Sequence, residues 1–231
     1  NKGQLKFSFA NLLASLRPLV IIDEAHNASS DLSVEVLQRL HPSCIIEFSA
    51  TPASNSNILH QVSAAELKSA EMIKLPIILT EHPTWQEAVH DSILTREKLQ
   101  QLALNDHQFI HPIVLFQAED KGKEVTYPVI ADYLVEQEKI PREKIAIVTG
   151  DKRELNGVNL ADPNNKIEYI ITVEALKEGW DCPFAYVFCS VATVHSKKDV
   201  EQLLGRVLRM PYVKRRSQDE LNRAYAHVSS T

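Results

Sequence analysis

The chain has 231 residues, 44% apolar and 24% charged, with a formal net charge of −5, which is the composition of a soluble globular protein large enough for one large domain or two small ones. That balance excludes a surface that traps polyanions all over, while leaving room for a nucleic-acid channel with a local basic lining. No apolar run approaches membrane-spanning length, residues 1–9 lack a signal-peptide pattern, and the three cysteines form neither a CxxC pair nor a metal-ligand spacing, so a cytoplasmic protein with reduced thiols is expected.

Short apolar, β-branched runs recur along the chain at residues 19–22, 44–48, 75–79, 112–116, 144–149, 167–172 and 185–191. Amphipathic stretches of helical period separate many of them, at 32–40, 85–104 and 125–138. Strands alternating with helices imply parallel βαβ units, hence an α/β fold whose sheet is covered on both faces. A polar, proline-containing turn over 79–83 reads as a boundary. Two α/β units are therefore expected, 1–82 and 83–231. The second holds four strand candidates; the first holds only two or three, too few for a doubly wound sheet, and is expected to be the back half of a domain whose front half lies outside this chain.

Four constellations carry chemistry. The run Leu19-Val20-Ile21-Ile22 ends in Asp23-Glu24-Ala25-His26, which puts two carboxylates at the C-terminal edge of a buried strand, where open α/β sheets bind ligands. There one acid can hold Mg²⁺ and the other can polarise an attacking water; the alternative is a solvated acidic turn. Next, Ser49-Ala50-Thr51 closes the following strand, and its hydroxyls either bond back to the acidic loop or cap local backbone. The third runs from Thr172 to Pro183. Within it Gly179 allows close backbone approach to a ligand, Asp181 can accept from a ribose hydroxyl or an arginine, and Trp180 either stacks on a ring or anchors packing. The fourth spans 199–210. As a helix it sets Val200, Leu203, Leu204, Val207 and Leu208 on one face and Gln202, Arg206 and Arg209 on the other, with Gly205 beside them. A row of one glutamine and two arginines suits a triphosphate, although a solvated basic face looks the same in sequence. Lys214-Arg215-Arg216 is a further basic cluster, read as a surface turn.

In this order, Asp-Glu-Ala-His, Ser-Ala-Thr, the Thr172…Gly179-x-Asp181 loop and Gln202-x-x-Gly-Arg206-x-x-Arg209 resemble the motifs of superfamily 2 helicases and translocases. The Glu-Gly-Trp-Asp loop and the Gln-Leu-Leu-Gly-Arg-Val-Leu-Arg stretch are most similar to the type III restriction enzyme helicase subunit. The resemblance covers nearly the whole chain. It implies two RecA-like domains with ATP and Mg²⁺ between them and a nucleic acid, DNA in the restriction family, lying across both, with a modification or specificity subunit as partner.

Carried over by position, Asp23 holds Mg²⁺, Glu24 is the base for water and His26 couples the domains. Ser49 and Thr51 link hydrolysis to strand binding. Gly179, Asp181 and Gln202 lie near the nucleotide, with Arg206 and Arg209 as arginine fingers. Phe116, Gln117, Thr149, Gly150 and Thr172 fall where the family lines its nucleic-acid track. One departure stands out: no Gly-x-x-x-x-Gly-Lys-[Ser/Thr] phosphate loop precedes Asp23, and Gly122-Lys123 is followed by Glu124 and lies on the wrong side of the acidic strand. The resemblance thus implies a fragment of a motor, inactive by itself, with any nuclease domain elsewhere. The rival expectation is a catalytically silent binding or scaffolding module that kept the fold.

Overall fold

Ser8 starts the first helix, α1 (Phe9–Leu16), by accepting the Asn11 N–H on its side chain, and Arg17 ends it in the left-handed conformation. In the computed structural model, which describes residues 8–25, 28, 30–50, 52–54, 56–173, 182–191 and 207–229, the apolar run that follows is strand β1 (Leu19–Ile22). It pairs in parallel with β2 (Cys44–Glu47), from Leu19 opposite Cys44 to Ile22 opposite Glu47. The crossover between them is α2 (Asp31–Arg39), capped by Ser30 and carrying Asp31 in its first turn and Arg39 in its last, both favourable to the helix dipole. These elements belong to a unit spanning residues 1–61.

Nothing in α1, β1, α2 or β2 is buried, and Leu19 and Ile21 are 55% and 61% exposed. The expectation of a sheet covered on both faces is therefore not met in this unit among the described residues. A two-stranded parallel ribbon with one crossover has too few layers to enclose its own side chains.

The second unit, residues 62–231, opens with α3 (Ala64–Ser69), whose start is a capping box: the Ser63 side chain accepts the Glu66 N–H while Glu66 accepts the Ser63 N–H. Its sheet comprises, among the described residues, β3 (Ile77–His82), β4 (Ile113–Gln117), β5 (Ile145–Val148), β6 (Tyr169–Thr172), β7 (Ala185–Ser190) and β8 (Ala224–Ser229), in the spatial order β3-β8-β7-β4-β6-β5. Every neighbouring pair is parallel. Long α4 (Trp85–Ala103), capped by Thr84, packs across β4, β7 and β8 through Ala88, Val89, Ile93 and Leu99, and α5 (Tyr127–Glu136) packs on β6. The core is this sheet; Ile113, Val114, Leu115 and Phe116 of β4 have no exposed surface at all.

Two sequence expectations shift here. The boundary falls between residues 61 and 62 rather than at 82, because Ile77–His82 pairs along its whole length with β8. Its polar half, Thr80-Glu81-His82, reads as a turn, but an outer strand tolerates polar side chains that an inner one does not. The partner strand Ala224–Ser229 is the other difference. Ala-Tyr-Ala-His-Val-Ser is too short and mixed to announce itself, and neighbours on the sheet make it a strand.

The amino-terminal edge of the sheet is pinned by charge. Buried Arg96 donates through Nε to the Pro112 carbonyl at 3.0 Å and pairs with Glu168 at 3.2 Å, which in turn holds Lys144 at 2.9 Å. At the outer pair, His82 Nε2 and His227 Nδ1 lie 2.9 Å apart in the interior, Thr95 Oγ1 lies 3.1 Å from His227 Nε2, and Asp91 approaches His82 Nδ1 at 3.6 Å. One orientation satisfies all of these contacts: His82 donates toward Asp91, His227 Nδ1–H donates to His82, and the Thr95 hydroxyl donates to His227. Burial, reinforced by His82 and opposed by Asp91, pulls the His227 pKa down to about 4. No helix among the described residues is long and apolar enough to cross a membrane.

A folded-state pKa below the unfolded one means that the unfolded chain takes up the proton first as pH falls. Stability from neutral His227 is complete above pH 6.5 and is lost progressively down to about 4, by up to about 3 kcal/mol. A melting-temperature series over that interval should show the loss, and His227→Asn should flatten it. Truncating Ile170, buried in β6, to alanine should cost about 2–5 kcal/mol, whereas Ile21→Ala in exposed β1 should cost about 0.5 kcal/mol or less, both read by denaturant titration.

Candidate functional site

Asp23 and Glu24 leave the C-terminal end of β1, both exposed to solvent. The Glu24 N–H donates to Asp23 Oδ1 at 2.9 Å, and Glu24 itself has φ of 50°, in the left-handed region that non-glycine residues enter at a cost of about 1–2 kcal/mol. Arg17, Glu71 and Lys139 share that conformation, but each follows the end of a helix, where it terminates the turn. Glu24 follows a strand. Its backbone turns so that the acidic loop folds back over the neighbouring strand: Phe48 N–H donates to the Ile22 carbonyl at 2.8 Å, and Ala25 N–H donates to the Phe48 carbonyl at 3.0 Å. The half-buried Ser49 comes directly after. The acidic loop and the Ser49 loop are thus laced together by backbone immediately before Ser49. His26 and Thr51 lie outside the described residues.

Magnesium prefers hard oxygen ligands, keeps several waters, and is commonly held by one or two carboxylates together with substrate phosphates. An exposed Asp23 at a strand end fits that pattern. No cluster of three or more His, Cys, Asp or Glu among the described residues could hold a metal independently of a ligand.

In the second unit the carboxyl ends of four adjacent strands carry a polar row. Gln117 stands opposite both Thr172 and Ser190, and Val148, just before Thr149, stands opposite Thr172. Ser190 Oγ donates to Gln117 Oε1 at 3.1 Å. Thr149 Oγ1 accepts the N–H groups of Asp151 and Lys152 at 3.3 and 3.1 Å, closing a tight turn beside exposed Gly150. A Cβ placed on Gly150 meets nothing within 4 Å, so glycine is not demanded there by crowding.

Two of the expected track residues are interior. Phe116 has no exposed surface and its ring stacks on Tyr169 at 6.3 Å, so it is a core residue rather than a platform for bases. Thr172 is 2% exposed. The cause is that β4 and β6 are inner strands covered on both faces, so on β4 only the tip residue, Gln117, reaches the edge. Ser190 is the residue that sequence reasoning missed. Its signal was a lone hydroxyl ending the otherwise apolar run of β7.

The arginine stretch also differs from expectation. Gly179, Asp181, Gln202 and Arg206 lie outside the described residues, but Val207 is the last helical position, and Arg209 is exposed in an antiparallel bridge with Ile73. Arg209 therefore does not continue the helical row. Met210 precedes Pro211 and is extended, at φ −78° and ψ 129°, because the proline ring disfavours the helical region for the residue before it. Gly122-Lys123 lies in an exposed turn closed by the Lys123 N–H on the Asp120 carbonyl, and α5 begins only at Tyr127, so the pair does not itself form the first turn of a helix as a phosphate loop requires.

Comparison with known proteins follows this geometry. No curated protein matches the sequence. Among solved structures, the chain is similar to S. cerevisiae Dbp5 carrying a leucine-to-valine change and bound to RNA and ADP BeF3, with 16% identity and a TM-score of 0.52, covering 92% of this chain and 53% of that one. It is likewise similar to the same S. cerevisiae variant bound to a Gle1 variant and IP6, with 16% identity and a TM-score of 0.55, covering 99% of this chain and 60% of that one. The chain thus spans little more than half the length of these structures, and at such identity the likeness is one of fold. The family described as "Type III restriction enzyme, res subunit" matches residues 5–54, the stretch that contains β1, the acidic loop and β2. The chain has the RecA-like α/β fold of these structures, and its residues 5–54 are similar to the res subunit family.

Proposed function

We propose that this chain is part of the motor of an ATP-dependent helicase or translocase, a type III restriction enzyme-like subunit acting on DNA in the cytoplasm alongside a modification or specificity subunit. The observation that carries the reading is the acidic loop: two carboxylates at the end of a parallel strand, the second in a strained left-handed conformation, laced to the loop that holds Ser49. Strain of that kind at a strand end is more often retained for chemistry than for packing.

In this proposal Asp23 would hold Mg²⁺ through water. The ion, arriving with the nucleotide, supplies neutralisation of phosphate charge. Glu24 would orient the attacking water and take its proton. Arg206, and Arg209 from its extended segment, would offset charge developing on the transferred phosphoryl group. Across the second unit, Gln117, held by Ser190, and the Thr149–Gly150 turn would touch the nucleic-acid backbone, Gln117 as a donor through its amide.

In the native full-length protein, Glu24→Gln should abolish nucleic acid-stimulated ATP turnover while leaving binding of a fluorescent ATP analogue nearly unchanged; retained turnover would remove Glu24 from the role of base. A panel of duplex and single-stranded DNA and RNA, titrated at several fixed salt concentrations, should stimulate ATPase most with DNA. Equal or greater stimulation by RNA at matched salt would count against the restriction-type assignment, since electrostatic binding by itself falls steeply with salt.

A further inference from the structure

Lys74 has no exposed surface, a rare condition for lysine. Its Nζ donates to the carbonyls of Pro183 at 2.9 Å and Ala185 at 2.7 Å, and the ammonium sits 4.0 Å from the centre of the Tyr186 ring. These are charge-assisted bonds inside the protein, where low polarity strengthens them. The tight turn from Cys182 to Ala185 depends on them for complete pairing: the Cys182 carbonyl takes the Ala185 N–H, Phe184 takes the Ile113 N–H, and Lys74 takes the other two. Through its backbone the same residue holds a different segment. Lys74 N–H donates to the Leu208 carbonyl, Met210 N–H donates to Met72 at 2.9 Å, and Ile73 bridges Arg209.

One residue therefore grips, with its side chain, the turn that begins one position after Asp181 and, with its main chain, the segment that carries Arg209. We infer that Lys74 is a positioning residue that sets the Cys182–Ala185 turn and the 208–210 segment, which carries Arg209, at a fixed spacing on which nucleotide turnover depends. The inference rests on the motor reading above. A merely structural lysine would be replaceable by a long apolar side chain at the cost of some stability; a positioning lysine would lose turnover without losing nucleotide affinity.

The test uses the native full-length protein with Lys74→Met, which keeps the stem and removes the ammonium, and Lys74→Arg, which restores a charged donor. Amide hydrogen exchange should quicken in Lys74→Met at both the 182–185 turn and the 208–210 segment while β4 and β6 stay protected. ATP turnover measured well below the melting temperature should fall about tenfold or more in kcat with KM changed by less than about threefold, and Lys74→Arg should recover most of it. Should Lys74→Met fail to fold, Lys74→Gln, which keeps one carbonyl bond, is read in the same way. Unchanged exchange at either segment, or loosened segments with unchanged kcat, overturns the proposal. A silent wild type that binds nucleotide overturns the motor reading and the catalytic half of this one with it, leaving the exchange result to decide the structural tie.

Discussion

The burial of β4 on both faces is the constraint from which the second unit follows. A strand whose four apolar residues have no access to solvent needs a hydrogen-bonded neighbour on each side and a packed layer above and below. β6 and β7 supply the neighbours, both parallel to it, so all three strands end at the same edge. Helices must then carry the chain back across the faces, and α4 and α5 do so with their apolar residues turned inward. Once the direction of β4 is set, the polar residues at the strand tips are collected at one edge without further design.

The two edges of that sheet are treated differently. At the amino ends, Arg96, Glu168 and Lys144 join the approaches to β4, β6 and β5 with partly or fully enclosed ion pairs, which fix strand spacing. At the carboxyl ends, Gln117, Thr149 and Ser190 make short, local hydrogen bonds, with Ser190 itself enclosed beneath Gln117 and Thr149 only partly covered. The ion pairs that stiffen the sheet are thus gathered at its amino edge.

Much of this was legible in the amino-acid order. The apolar runs at 19–22, 44–48, 112–116, 144–149, 167–172 and 185–191 each overlap a strand, those of the second unit because continuous β-branched sequence of that length suits a doubly covered sheet, and Trp85–Ala103 became a helix because its inward residues recur at helical spacing. The acidic loop lies where a strand end predicts it. What could not be read was decided by distant partners. The run at 75–79 reads as strand-like, but its extension through Thr80–His82 and the strand Ala224–Ser229 depend on pairing with distant neighbours, and a polar, histidine-bearing segment offers no local sign of that. Phe116 looks like a site residue by position and is a core residue because β4 is covered on both faces. Arg209 fits a helical row on paper, yet Pro211 and the open backbone of Met72 to Lys74 draw it into an extended bridge. Lys74 has no motif, and only the topology brings it beside the Cys182–Ala185 turn and the 208–210 segment.

The outermost strand pair of the second sheet also bears on how the protein is made. β3 pairs with β8, a segment roughly 150 residues later, so the sheet is incomplete until that segment has been synthesised. Until Ala224–Ser229 arrives, the free side of β7 exposes a ladder of unsatisfied backbone groups on a strand whose six residues are all buried in the finished fold. The period between synthesis of β7 and docking of β8 is therefore the interval in which this protein is most open to self-association, and a chaperone that shields apolar strand edges would act there.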